Sequence, residues 1–229
     1  MGYTNILQIR ALIKSAHKAE KTTQSLKIAV SEVLPALHSS IQLPPTNKDR
    51  VFIDFLTRYI DNVPGVLDTL SEIARDGNIN ELVQPVLSIV ESHFLQKPHI
   101  ADQDRGLRGL VCRAYLAHRI VEEFNEQIIS SCGAPLINGD WAGNNLIVHA
   151  FIGDQFANKL DLAASFSVQA LLPHAMLAEH ASLKNYLQRH RLYGLNDALQ
   201  LRASFTHDPV LDSKVSLRFS ERTNAHSLH

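Results

Sequence analysis

Residues 107–129 read LRGLVCRAYLAHRIVEEFNEQII, a stretch in which apolar positions recur every three or four residues. This spacing predicts an α-helix with one apolar face, because an α-helix completes a turn in about 3.6 residues. The face consists of Leu107, Leu110, Val111, Ala114, Val121 and Ile128. A second, narrower apolar edge on the opposite side consists of Cys112, Leu116 and Ile120. A helix that is apolar on two sides is normally enclosed by neighbours, so we expect this helix at the centre of a bundle.

Helical spacing continues along most of the chain and predicts an all-α, single-domain bundle of about seven helices. The first is expected to be one long amphipathic helix from Asn5 to His38, ending before the turn at Pro44 and Pro45. Another is expected from Lys48 until Pro64 interrupts it. Further helices are predicted over residues 66–75, 80–95, 145–164 and 175–190.

The end of the chain has a different composition from the rest. Residues 1–203 are predicted to form the helical domain, whereas residues 204–229 form an irregular polar tail with only a brief alternation at Val215, Leu217 and Phe219. We expect this tail either to be frayed or to pack on a partner subunit.

Composition excludes several classes of protein. The formal net charge of the 229 residues is −1, so no strong positive field favours binding to nucleic acid. Every apolar run is far shorter than the ~18 residues that a membrane span needs. The only cysteines are Cys112 and Cys132, and residues 1–10 lack the pattern of a secretory signal. These features predict a reduced, cytoplasmic protein.

Polar residues interrupt the apolar faces of the two central segments. His118, Glu122 and Asn125 lie within the main face of residues 107–129. In residues 145–164, His149 belongs to a stripe that also contains Leu146, Phe156, Ala157 and Leu160. Burying such a group without a partner costs roughly 2 kcal/mol or more. We therefore expect these side chains to meet one another, a metal, water or a ligand.

Metal binding is one interpretation of this pattern. His118 and Glu122 are four residues apart and share a helix face, and His149 could add a second imidazole from the next helix. Two histidines and one carboxylate suit non-haem iron or zinc. The alternative is a structural polar core in which Glu122 fixes an imidazole and Asn125 completes the network.

The loop over residues 138–144 reads NGDWAGN and contains the only tryptophan of the chain. Its position before the helix that carries His149 would allow it to form the wall of a pocket, with Trp141 supplying a stacking surface and Asp140 an acceptor. The alternative is a turn that one aromatic side chain anchors to the core.

Two classes of function therefore remain open. In the first, the protein is a scaffold or regulator that acts through homodimer or partner contacts made by its first helix and tail. In the second, it is an enzyme or binding protein with a buried site for a metal or small molecule. Glu122 and His118 would then be catalytic, and Asn125, Trp141 and Asp140 would contact the ligand.

Overall fold

The computed structural model describes residues 2–96, 106–139, 141–172, 174–193 and 215–218, and confirms the predicted all-α fold. The α-helices are α1 (Gly2–Thr23), α2 (Ser25–Val33), α3 (Lys48–Asp61), α4 (Val63–Asp76), α5 (Asn80–Leu95), α6 (Leu107–Cys132), α7 (Trp141–Ile152), α8 (Asp154–Leu171), α9 (His174–Glu179) and α10 (Ala181–Tyr193). A 3-10 turn over Leu34–Ala36 follows α2. The helices are more numerous than predicted because three of the expected segments are each divided in two.

Helix α6 occupies the centre of the bundle, as its two apolar sides predict. It packs against α1, α2, α3, α5, α7, α8 and α9. Residues on both its main face and its second edge are buried, including Leu110, Ala114 and Ile120. Polar side chains on the buried faces of α6 therefore meet neighbouring helices, which makes their partners informative.

The prediction of one helix from Asn5 to His38 is wrong, because the chain turns at Gln24. Gln24 has a φ of 48°, in the left-handed region that interrupts an α-helix. The Glu20 carboxylate then accepts hydrogen bonds from the Ser25 hydroxyl and the Leu26 amide, each at 2.8 Å. These bonds satisfy groups at the start of α2 that have no partner within the helix, so the break costs little.

The apolar face of α1 packs against other helices of the same chain. Ile6, Ile9, Ile13 and Ala16 are buried, and α1 packs against α4, α5 and α6. The apolar face of α1 therefore contributes to the protein's own core.

Residues 145–164 also form two helices instead of one. Gly153 has a φ of 91° and separates α7 from α8, so the stripe projected across both segments does not exist. Leu146 and Phe156, expected to be buried, are 49% and 46% exposed. The buried face of α7 consists instead of Asn145, Ile147, Val148 and Phe151. In the same way, a break at His180 divides residues 175–190 between α9 and α10.

Four residues of the tail pack on the chain itself. Strand β2 (Ser216–Leu217) pairs antiparallel with β1 (Ile41–Gln42), and Val215 is buried. For residues 215–218, the expectation of a frayed or partner-bound tail is therefore wrong. The rest of the predicted tail lies outside the described residues.

No helix within the described ranges has both the length and the apolar character needed to cross a bilayer.

Candidate functional site

Helix α6 buries all three polar residues that the sequence placed within its apolar face. His118, Glu122 and Asn125 are 2%, 6% and 7% exposed, respectively. Their partners differ, however, and the difference separates structural groups from groups that are available to a ligand.

Asn125 binds the backbone of the loop that follows α6. Its Nδ2 donates to the Ile137 carbonyl oxygen at 2.9 Å, and its Oδ1 accepts from the amides of Leu136 and Ile137 at 2.8 and 3.1 Å. We call this arrangement the Asn125 clamp. Both polar atoms of the Asn125 side chain are therefore engaged by the backbone of the loop, and Asn125 does not belong to the cavity lining described below.

His118 is also bound to backbone. Its Nε2 lies 3.0 Å from the Tyr59 carbonyl oxygen, so this nitrogen carries the proton and donates it. The imidazole packs between Tyr59 and Trp141, with ring centroids 4.4 and 5.8 Å away. Burial lowers the pKa of His118 to about 4, although the bond to Tyr59 acts in the opposite direction. The ring is therefore neutral at physiological pH.

The tryptophan of the loop packs against a buried residue of α6. Trp141 lies at the start of α7 and packs on His118, which agrees with the alternative of an aromatic anchor. Its indole Nε1 is buried and has no hydrogen-bond partner among the described residues. Asp140, the predicted acceptor, lies outside the described residues.

Glu122 belongs to a side-chain network that joins α3, α6 and α7. Its Oε2 accepts hydrogen bonds from Arg119 Nη1 and Asn145 Nδ2. The Tyr59 hydroxyl in turn donates to Asn145 Oδ1 at 2.5 Å. The amide of Asn145 therefore links a buried carboxylate to a buried phenol.

Arg119 extends the network to α8. Its Nε donates to Asp161 Oδ1 at 2.9 Å, and the Tyr115 hydroxyl donates to the same oxygen at 2.8 Å. Burial favours loss of the proton from Arg119, but the charges of Glu122 and Asp161 outweigh it and raise the guanidinium pKa. Arg119 is thus a fixed positive charge between two carboxylates.

A cavity of about 300 Å³ opens beside this network, between α6, α7 and α8. We call it the Arg119 cavity. Its polar lining consists of Tyr115, Arg119, Glu122, Asn145, His149 and Asp161, and its apolar lining of Ala142 and Leu146.

Three charged atoms of the lining residues remain available. Within the described part of the chain, no hydrogen bond is made by Glu122 Oε1, Asp161 Oδ2 or Arg119 Nη2. His149 stands nearby, with Nε2 3.1 Å from Asn158 Oδ1 and 3.6 Å from Asp161 Oδ2. The cavity therefore offers two acceptors, one cationic donor and one imidazole.

The three predicted metal ligands do not form one group. Glu122 and His149 line the Arg119 cavity, whereas His118 is directed to the Tyr59 carbonyl. Among the residues that the structure describes, no three His, Cys, Asp or Glu side chains are arranged to hold a metal ion. The expected convergence fails because the His118 ring packs on Tyr59 and Trp141 and does not belong to the cavity lining.

Sequence reasoning missed most of the network, namely Tyr59, Tyr115, Arg119, Asn145 and Asp161. The pair Arg119 and Glu122 could have been found, because opposite charges three residues apart lie close together on a helix. Asp161 gives no such signal, since its position depends on how α8 packs on α6.

Comparisons of this chain with protein-family models, with curated proteins and with solved structures found no match.

Proposed function

We propose that the protein binds a small polar molecule in the Arg119 cavity. The observation that carries this proposal is Glu122, a 6% exposed carboxylate that lines the cavity and has one oxygen free of hydrogen bonds from the described residues. This oxygen is open to the cavity and is not sealed inside the protein, so a ligand or water that enters can donate a hydrogen bond to it.

The shape of the site supports the same proposal. A volume of about 300 Å³ lies at the lower end of the range for small-molecule pockets. Ala142 and Leu146 add apolar atoms to the lining. A few fixed polar groups beside an apolar wall are the usual means of orienting a small ligand.

Binding in the Arg119 cavity requires neither a metal nor the catalytic roles predicted for His118 and Glu122. A homodimer, a cytoplasmic location and the absence of nucleic-acid binding stay predictions of the sequence. They are independent of the cavity.

Ligand titration of the wild type and of a variant whose cavity is filled by a larger side chain tests this proposal. We would titrate the protein with phenethylamine, phenethyl alcohol and hydrocinnamate, which share an aromatic body and differ in their polar group. Calorimetry gives the affinity, and fluorescence of Trp141, the only tryptophan and the neighbour of Ala142, gives an independent readout.

The informative variant is Ala142→Phe, which adds a ring at an exposed position of the cavity lining. The matched control is Ala170→Phe, an exposed position on α8 that does not belong to the lining. We expect at least one probe to bind the wild type and the control but not Ala142→Phe. Equal binding to all three proteins, or no binding of any probe to the wild type, would contradict the proposal.

A further inference from the structure

Resting on the proposed function, we infer that the ligand of the Arg119 cavity is a small molecule with a protonated amine. The available atoms are the first reason. Glu122 Oε1 and Asp161 Oδ2 accept no hydrogen bond in the described part of the chain, and ionised carboxylate oxygens can only accept. The best complement to two such oxygens is a group with several N–H donors and a positive charge.

The charge of the lining is the second reason. Two carboxylates, Glu122 and Asp161, stand against one guanidinium, so the lining carries one negative charge in excess when His149 is neutral. The Arg119 guanidinium already donates to both carboxylates through Nη1 and Nε. A bound anion would increase the negative excess, whereas an ammonium group cancels it.

Two carboxylates outside the lining also lie close to it. Burial and, next, the charge of Glu122 raise the pKa of Glu126 on the following turn of α6. Asp154 lies 3.5 Å from His149 Nδ1 at the start of α8. Glu126 and Asp154 are therefore two further carboxylates close to residues of the lining.

The positions of the remaining groups suit an ammonium with an apolar body. The Tyr115 hydroxyl gives its proton to Asp161, which leaves its oxygen able to accept a third N–H from the ligand. The rings of Tyr115 and His149 meet edge to face, with centroids 6.2 Å apart. Together with Leu146 they offer a surface for hydrocarbon. An aromatic ring beside an ammonium also attracts it through the π-system.

Comparing the three probes near neutral pH tests this inference. We expect phenethylamine to bind at least about tenfold more tightly than phenethyl alcohol, since a charged hydrogen bond contributes about 1.5 kcal/mol or more. We expect no measurable binding of hydrocinnamate. Asp161→Asn, which keeps the shape but removes the charge, should weaken phenethylamine binding by roughly tenfold.

The matched control is Asp68→Asn, which removes the exposed ion pair between α4 and Arg10 and should leave affinity unchanged. If Asp161→Asn does not fold, Glu122→Gln gives the same test on the other carboxylate. Tightest binding by hydrocinnamate, abolished by Ala142→Phe, would overturn the ammonium inference and leave the proposed function intact. Equal affinity of the amine for wild type and the charge-removing variant would overturn it as well. Failure of every probe to bind would overturn both.

Discussion

The Asn125 clamp and the Arg119 cavity both depend on polar side chains of α6 that are buried or half-buried. In the clamp, the side-chain amide bonds to the backbone of residues 136 and 137. Around the cavity, Arg119 bonds to both Glu122 and Asp161, and one oxygen of each carboxylate makes no hydrogen bond within the described residues. The type of partner therefore distinguishes a group that holds the fold from a group that can hold a ligand.

The largest loss of stability should come from removing the Arg119 guanidinium, which pairs with both carboxylates. Arg119→Met leaves Glu122 and Asp161 without their counter-ion in a largely buried setting, and should lower the free energy of unfolding by about 4 kcal/mol. Urea denaturation measures this change. Adding Glu122→Gln should restore part of the loss. Arg108→Met, at an exposed position of the same helix, is the control, and a similar loss in both variants would argue against a special role for Arg119.

Breaking the clamp should have the next largest effect. Asn125→Ala leaves the amides of Leu136 and Ile137 and one carbonyl without partners in the interior, so we expect a loss of about 3 kcal/mol in urea denaturation. Gln127→Ala on the same helix should cost far less. Affinity of the cavity for its ligand should be retained in the folded Asn125 variant. A loss of affinity without a loss of stability would reverse the roles assigned to the two regions.

Protonation of His118 should make stability depend on pH. The pKa of the folded state, about 4, lies below the unfolded value of 6.5, so folding favours the neutral ring. The stabilisation is complete above about pH 6.5 and is lost as pH falls towards 4, with a slope of at most roughly 1.4 kcal/mol per pH unit. His118→Gln should remove this part of the slope, whereas His38→Gln, at an exposed position, should not. Identical slopes for wild type and His118→Gln would show that the ring does not resist protonation.

The smallest loss of stability is expected from removing the Tyr59 hydroxyl, which lies at the end of the hydrogen-bond network. Tyr59→Phe removes the hydroxyl that donates to Asn145, and should lower the free energy of unfolding by about 1 kcal/mol. Because Asn145 still donates to Glu122, ligand affinity should change little. A loss as large as that of Arg119→Met would mean that the phenol organises the cavity itself.

The sequence was most informative about features that depend on the periodicity of a single helix. The bounds of α5, the central place of α6 and the burial of His118, Glu122 and Asn125 all follow from apolar spacing. It was least informative where a single backbone angle redirects the chain. Gly153 interrupts the helical periodicity between α7 and α8. The turn at this residue decides which residues of α8 face α6.

The partners of the polar residues could not be read from the same pattern. His118 and Glu122 share a face of α6, yet one meets a carbonyl of α3 and the other meets Arg119 and Asn145. Periodicity specifies the direction of a side chain from its own helix. It does not specify the atoms that the neighbouring helix presents.

A crystal structure of the wild-type protein grown with phenethylamine tests the central claim most directly. We expect density for the ligand in the Arg119 cavity, with its nitrogen within hydrogen-bond distance of Glu122 Oε1 and Asp161 Oδ2. A cavity that contains only ordered water, or a ligand whose nitrogen points away from both carboxylates, would contradict it.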